Sequence, residues 1–508
     1  MLDVTWSSPA TAGPWTAKTS LSVGHWINGQ AHTSESGSTF DVVNPATGKV
    51  FATIADGGAH DVEKAVVAAR KALSGEWSKV TPSARGELIR RVGQALTDNS
   101  EELGLLETSE NGRLLRDTKA QLKLIRSWFD YFGGLSDKFG GDVIPTDGGS
   151  FVYTKREPKG VIGMVVPWNA PLMLLALKLP AALAAGCTVV VKPSQYAPVA
   201  LARFAELAEE AGLPPGVFNV VHGRGRASTQ ALIAADGISH ISFTGSTSVG
   251  REVAAAAGSR LISTTLELGG KSPQIVFEDA DLDAAAKGIV AGGFTSSGQA
   301  CFAGTRVYAH EAVAEQLASK IASIISSVKM GDPLEPTTEL GPIANQSQYD
   351  RVHEYLALAR DEGAVFAGDG NPAPDGLFIR PVLLQGVEPQ SRLVREEIFG
   401  PLVVIASFAD EDEAVRLAND SEFGLAAGVW TQRLDRAHRV SARLEAGTVW
   451  VNTYRALSPM VPFGGAKSSG LGRENGVHAL DEFTSIKAVW MQLDGSALRP
   501  FGRTDDAA

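Results

Sequence analysis

Between residues 161 and 277 short β-branched runs alternate with alanine-rich stretches of helical spacing. Strands are predicted at 161–166, 188–191, 218–221, 241–243 and 264–266. Helices are predicted between them at 172–185, 199–211, 227–235 and 249–257. This rhythm calls for a parallel sheet covered by helices, with ligands at the carboxyl ends of its strands. A second alternation runs from residue 275 to about 451, with helices at 284–291, 313–328, 350–362 and 411–419 and strands at 306–310 and 403–408. The stretch 331–342, with Asp332-Pro333 and Glu335-Pro336, reads as a loop. Upstream, the turn cluster Asn44-Pro-Ala-Thr-Gly48 opens a helical region at 61–72, 83–99 and 114–132, with Asp61 as the first N-cap. Residues 1–20 lack periodicity and are expected to be a flexible arm; the tail after Leu493 is also loop-like.

A chain of 508 residues exceeds one hydrophobic core, so two or three structural units are expected. Its 46 Lys and Arg against 57 Asp and Glu give a net charge of −11, which argues against a nucleic-acid partner. No apolar run approaches the ~20 residues that span a bilayer, so no membrane partner is expected. The first residues carry neither a basic segment nor a continuous apolar one, so no secretory signal is read there. Two cysteines, Cys187 and Cys301, make no disulfide framework, and a reducing cytoplasm is the expected compartment. No metal site is expected.

Two segments carry the chemistry. Gly298-Gln-Ala-Cys301 sets a thiol among small residues that leave room for a substrate. A buried cysteine is often inert, but Gly298, Ala300, Ala303 and Gly304 favour a nucleophile here. Cys187, heading an apolar strand, is read as structural. Glu267 closes an apolar run before Gly269-Gly270, where partial burial raises a carboxylate toward a useful base. Asn169, in Pro167-Trp168-Asn169-Ala170-Pro171, offers a side-chain amide to an oxyanion. Phe243-Thr-Gly-Ser246 follows a strand and opens a helix, a place for a pyrophosphate. Lys192, at another strand's carboxyl end, can reach ribose hydroxyls.

Over residues 26–490 these segments resemble the aldehyde dehydrogenase superfamily, in order: Pro167-Trp-Asn, Lys192-Pro-Ser, Phe243-Thr-Gly-Ser-Thr, Glu267-Leu-Gly-Gly-Lys, Gly298-Gln-Ala-Cys, Glu397-Ile-Phe-Gly-Pro and Pro462-Phe-Gly-Gly-Ala-Lys-Ser-Ser-Gly. The resemblance implies an α/β chain with a Rossmann-like cofactor domain, an α/β catalytic domain and a small β oligomerisation element. Their implied extents are 21–138 with 160–268, then 269–465, then 139–159 with 482–492, the last making a homodimer or homotetramer. It implies a non-phosphorylating, hydrolytic NAD(P)-dependent enzyme for a small-molecule aldehyde. Cys301 would form a thiohemiacetal and then a thioester, Asn169 would hold the oxyanion, and Glu267 would activate water, with Lys178 and Glu474 relaying protons or ordering Glu267.

The resemblance also distributes the cofactor contacts. Lys192 and Glu397 would take the ribose hydroxyls, Ser246 and Trp168 the phosphates, and Phe399 the nicotinamide. Gly225, Phe243 and Val249 would line the adenine side, and Val166, Pro167 and Leu268 would complete the contacts. Gln195 stands where many NAD-preferring relatives carry Glu, so NAD is expected with NADP tolerated. The implied substrate tunnel is Ala170, Met173, Leu174, Leu177, Phe302, Arg455, Leu457 and Phe463. Its apolar lining suggests a medium or bulky aldehyde, aromatic or long-chain; Arg455 suggests instead a semialdehyde with a distal carboxylate. A CoA-acylating enzyme and a non-catalytic binding relative are the remaining alternatives.

Overall fold

The computed structural model describes residues 21–147, 149–367 and 373–493. Its first large sheet has eight strands, five of them parallel in the order Ser263–Glu267, Ile238–Thr244, Val161–Val166, Thr188–Pro193 and Phe218–Val220. Every residue of Val161–Val166 and of Thr188–Pro193 is buried, as continuous Val-rich runs between two helical layers require. Antiparallel strands close both edges: Gly470–Leu471 beside Glu267, and His25–Ile27 with Gln30–His32 beyond Val220.

Along this sheet the chain runs outward one way from Val161–Val166 and then the other way from Ile238–Thr244. The reversal leaves a crevice at the carboxyl ends of those two neighbouring strands. The turn Pro167–Ala170 and the turn Gly245–Ser246 both open there. A second sheet of seven strands runs Val365–Ala367, Val382–Gln385, Leu402–Phe408, Arg306–His310, Pro273–Val276, Ala426–Trp430 and Thr448–Val451. All its pairings are parallel except that of Val365–Ala367.

Several sequence expectations change. Residues 172–185 form two helices, Pro171–Ala176 and Leu179–Ala185. Pro180 has no N–H to continue the ladder, so the helix breaks at Leu177-Lys178. Asp61 is not an N-cap: the helix is Ala59–Ser74 with Gly58 at its cap. Asp61 stands one turn inside, and its carboxylate accepts from the N–H of Gly58 and that of Glu35, both at 3.0 Å. The region after Asn44 is not yet helical, because Lys49–Ala55 pairs with Thr39–Asn44 in a small sheet. The chain's arm at 1–20 and its tail at 494–508 lie outside the described residues.

The strand pair expected at 139–159 and 482–492 is Ser150–Pro158 against Thr484–Gln492, with Val143–Ile144 as a third strand. Glu482 belongs instead to the short helix Ala479–Phe483. This sheet exposes Phe151, Ile486, Trp490 and Met491. No helix among the described residues is long and apolar enough to cross a membrane.

Asp61→Ala removes the acceptor for two N–H groups in a buried setting. We expect it to lower unfolding free energy by about 1–2 kcal/mol, seen as a lower denaturant midpoint at unchanged slope. An unchanged midpoint would show that water replaces the carboxylate at no cost.

Candidate active site

Cys301 lies just past the turn Thr295–Gly298, on a loop of unusual backbone. Ser296, Ser297 and Gly298 are three consecutive residues of positive φ, at 55°, 56° and 70°. Non-glycine residues hold such angles only where neighbours fix them. Ser297 Oγ donates to the Gly341 carbonyl at 2.7 Å, and Gln299 Oε1 accepts from the Ala344 N–H at 2.9 Å. The Gln299 carbonyl accepts from Asn169 Nδ2 at 3.0 Å, which turns the amide's NH2 group toward the thiol loop.

Glu267 ends its strand opposite Thr244 on one side and Gly470 on the other. It is buried, and neither carboxylate oxygen has a hydrogen-bond partner among the described residues. Burial, then repulsion from Glu474, holds its carboxyl well above the usual range. Beside it Lys178 donates to Glu474, an ion pair with both side chains buried. Burial also raises Glu474. The Cys301 thiol is pushed up to about 12, first by burial and then by the Glu267 and Glu397 carboxylates. Burial thus opposes ionisation at both Cys301 and Glu267.

Gly269 and Gly270 connect these groups. A Cβ at 269 would lie 2.2 Å from Glu397 Oε2, and one at 270 would lie 2.6 Å from the Cys301 carbonyl. The Gly270 N–H donates to Glu397 Oε1 at 3.1 Å. Burial raises Glu397 to about 7 and lowers Lys192 to about 8.

A cleft of about 1270 Å³ collects Pro167, Trp168, Asn169, Leu174, Ser246, Glu267, Leu268, Cys301, Glu397 and Phe399. An adjoining cleft of about 1290 Å³ collects Lys192, Gln195, Gly225, Ser246 and Val249. Ser246 lines both, so they meet at the head of helix Thr247–Ser259. No side chain caps that helix, which leaves its first N–H groups for an anion. Phe399 has φ +61° and sets its ring edge-on against Trp168, centroids 5.3 Å apart. Gln195 Oε1 accepts from the Gly225 N–H at 2.8 Å.

Not every predicted residue reaches a cleft. Phe243 is buried in the core with Gly245 against its ring, and Val166 is buried at the end of its strand. Neither is among the residues lining the two clefts, because each side chain points into the packed layer below. Met173 and Leu177 are buried, with Ala170 and Leu457 packed against the same cluster. Phe302 meets Phe463 and Trp450 edge-on, centroids 6.2 and 5.9 Å apart. Arg455 stacks over Phe302 at 5.4 Å and donates through Nη1 to the Ala291 carbonyl at 3.1 Å and to Thr295 Oγ1. It makes no ion pair among the described residues.

Sequence reasoning missed Gln348 and Arg351. Gln348 Nε2 donates to the carbonyls of Ile398 and Phe399, both at 2.9 Å, and Arg351 Nη2 donates to that of Glu397 at 2.7 Å. These bonds hold the segment that carries Glu397 and Phe399. Polar residues opening an amphipathic helix read as a solvated face, so no signal marked them. Trp450 and Tyr454 were also missed; Tyr454 Oη donates to the Phe302 carbonyl at 2.9 Å.

The aldehyde dehydrogenase family model matches residues 32–489. An aldehyde dehydrogenase of Agaricus bisporus is 40% identical over 96% of this chain and 98% of its own length. A betaine aldehyde dehydrogenase of Brucella melitensis is 40% identical over 92% of this chain and 97% of its own. The solved NAD+ complex of an aldehyde dehydrogenase from Bacillus cereus superposes with TM-score 0.91 at 39% identity, covering 93% of this chain and 97% of that one.

A thiol raised to about 12 gives a definite pH signature. Iodoacetamide alkylation of Cys301 in the cofactor-free protein should accelerate with pH and show no plateau up to about pH 10. A plateau below pH 8 would mean that the thiol is already ionised in the resting site.

Proposed function

The chain belongs to the aldehyde dehydrogenase family, and from that premise we propose that it oxidises an aldehyde to the carboxylic acid with NAD+ through a covalent Cys301 adduct. The observation that carries this reading is the convergence of Cys301, Glu267 and Asn169 on one cleft. The clefts suit a dinucleotide. A helix with uncapped N–H groups would receive the pyrophosphate, and Lys192 and Glu397 would bond ribose hydroxyls. When bound, the cofactor supplies the hydride acceptor.

The chain's own residues do the rest. The Cys301 sulfur bonds to the carbonyl carbon as its proton passes to Glu267. The oxygen gathers negative charge, which Asn169 Nδ2 and the Cys301 N–H stabilise; one such donor is worth ~2.7–4 kcal/mol of barrier. After the carbonyl carbon has lost hydride, Glu267, having released the thiol's proton, takes one from water, whose oxygen bonds to the thioester carbon; the carbon–sulfur bond breaks, the acid leaves, and the sulfur takes that proton back from Glu267. The buried Lys178–Glu474 pair, next to Glu267, is suited to carry the proton first taken from Cys301 to solvent. A base for water favours hydrolysis over acyl transfer to CoA, and the intact trio argues against a non-catalytic relative.

The aromatic cluster that Phe302, next to Cys301 in the chain, forms with Phe463 and Trp450, together with Leu174 in the cleft, favours an apolar aldehyde. Arg455 favours a second reading, a semialdehyde, because a half-buried guanidinium with no ionic partner is suited to a distal carboxylate. The same cation disfavours a quaternary-ammonium substrate. Gln195, a neutral amide beside the adenine-side cleft, favours tolerance of a 2′-phosphate. The sheet of Ser150–Pro158 and Thr484–Gln492, with its exposed apolar side chains, favours a homodimer or homotetramer, and two unpaired cysteines favour the cytoplasm.

Cys301→Ala should abolish NADH formation on every aldehyde. Glu267→Gln should slow turnover by about 10²–10⁴-fold, with the acyl-enzyme accumulating. Residual turnover at the parent rate in the alanine variant would refute the covalent route. On an aldehyde panel, benzaldehyde and hexanal should exceed betaine aldehyde in kcat/KM by at least about tenfold; succinate semialdehyde ahead of both would establish the second reading. NAD+ and NADP+ should give kcat/KM values within about a hundredfold; selectivity of several thousandfold would remove the role given to Gln195.

A further inference from the structure

The two helices that follow the chemistry-bearing turns begin without caps of their own. Pro171–Ala176, after Asn169, has Ala170 at its N-cap; Val199–Glu210, after Lys192 and Gln195, has Pro198. Neither residue offers a capping oxygen, and both helix starts are buried, so their first N–H groups need partners from elsewhere.

One helix, Ser100–Asn111, supplies them both. Its last turn is a run of buried polar residues: Glu107, Thr108, Ser109, Glu110 and Asn111. Glu110 accepts from the N–H of Val199 at 2.6 Å and from that of Ala200 at 3.3 Å. Glu107 Oε2 accepts from the Leu172 N–H at 3.4 Å, while Arg113 holds Glu107 Oε1 at 2.7 Å. Asn111 Nδ2 donates to the Trp168 carbonyl at 3.2 Å, and its Oδ1 accepts from the Arg113 N–H at 3.1 Å. Two carboxylates three residues apart on one helix thus cap two other helices. The asparagine beside them grips the turn that presents Asn169. A buried acid facing backbone N–H groups is a costly arrangement unless those groups must be held in place.

We infer that the buried polar end of helix Ser100–Asn111 sets the spacing of the reaction site, Glu110 positioning the Lys192–Gln195 turn for the cofactor and Asn111, with Glu107, positioning the Asn169 turn for the oxyanion. These are positioning residues, since none is among the cleft's lining. The inference rests on the proposed reading of Cys301, Asn169 and Lys192.

Its signature is a split that a general stability defect would not produce. Asn111→Asp keeps the acceptor for the Arg113 N–H and replaces the donor to Trp168 with an acceptor oxygen that repels its carbonyl. Glu110→Ala removes both capping bonds, and Glu110→Gln keeps one. Each full-length variant is read by NAD+ titration and by cofactor-free hydrolysis of p-nitrophenyl acetate. Glu110→Ala should weaken NAD+ binding about tenfold and leave ester hydrolysis within about twofold. Asn111→Asp should do the reverse, and Glu110→Gln should recover most of the NAD+ affinity. Should Glu110→Ala fail to fold, Glu110→Gln carries the same comparison with a smaller shift. Parallel losses in both assays, or no loss in either, would overturn the inference. If the parent hydrolyses no ester, the Cys301 reading fails instead, and the NAD+ arm on Glu110 still decides this one.

Discussion

The site depends on one close approach of backbones. Gly269 and Gly270 lie between the end of Glu267's strand and the segment holding Glu397, where no side chain can be fitted. Because they lack Cβ atoms, the Glu397 carboxylate, the Cys301 loop and Glu267 come within electrostatic reach of one another. Glycine carries an entropic cost in any ordered segment, and here the return is geometric. The raised pKa values of Cys301, Glu267 and Glu397 come first from burial, with the Glu474 charge adding at Glu267 and the Glu267 and Glu397 charges adding at Cys301.

The crevice itself comes from topology. A right-handed crossover from each parallel strand fixes the helices on alternate faces, and the reversal of strand order opens the sheet at one place. The turns holding Asn169 and Ser246 end there because their strands are neighbours at that reversal. What the turns then present is refined from outside the sheet: by Gln348 on the Phe399 segment, by Ser297 and Gln299 on the thiol loop, and by helix Ser100–Asn111, which bonds to Trp168 and to the start of helix Val199–Glu210.

The parallel core was legible in the chain because Val-rich runs of about six residues between alanine-rich helices admit few other folds. Strand ends were legible too, so Glu267, Asn169 and Lys192 could be placed before any coordinates. What stayed hidden was long-range. Nothing local separates Asp61 as a cap from Asp61 one turn further in, since the difference is the Glu35 N–H it accepts from across the fold. Pro180 did announce a break, but the surrounding run of Leu and Ala masked it. Glu107 and Glu110 drew no reading from the sequence, because acidic residues are seldom buried and only their backbone partners reveal the role. Phe243 is a motif position near the clefts whose side chain packs into the core.

A Cβ at Gly298 would lie 2.2 Å from the Gly400 carbonyl, so the Cys301 loop and the loop after Glu397 touch through bare main chain. Such a contact has no adjustable side chain on either side and therefore cannot be retuned by a single substitution. The two loops must be inherited as a matched pair. Exchange of segments between relatives, with a junction anywhere between these positions, would unite surfaces that never evolved together, and homologous recombination should leave such junctions scarce in this lineage.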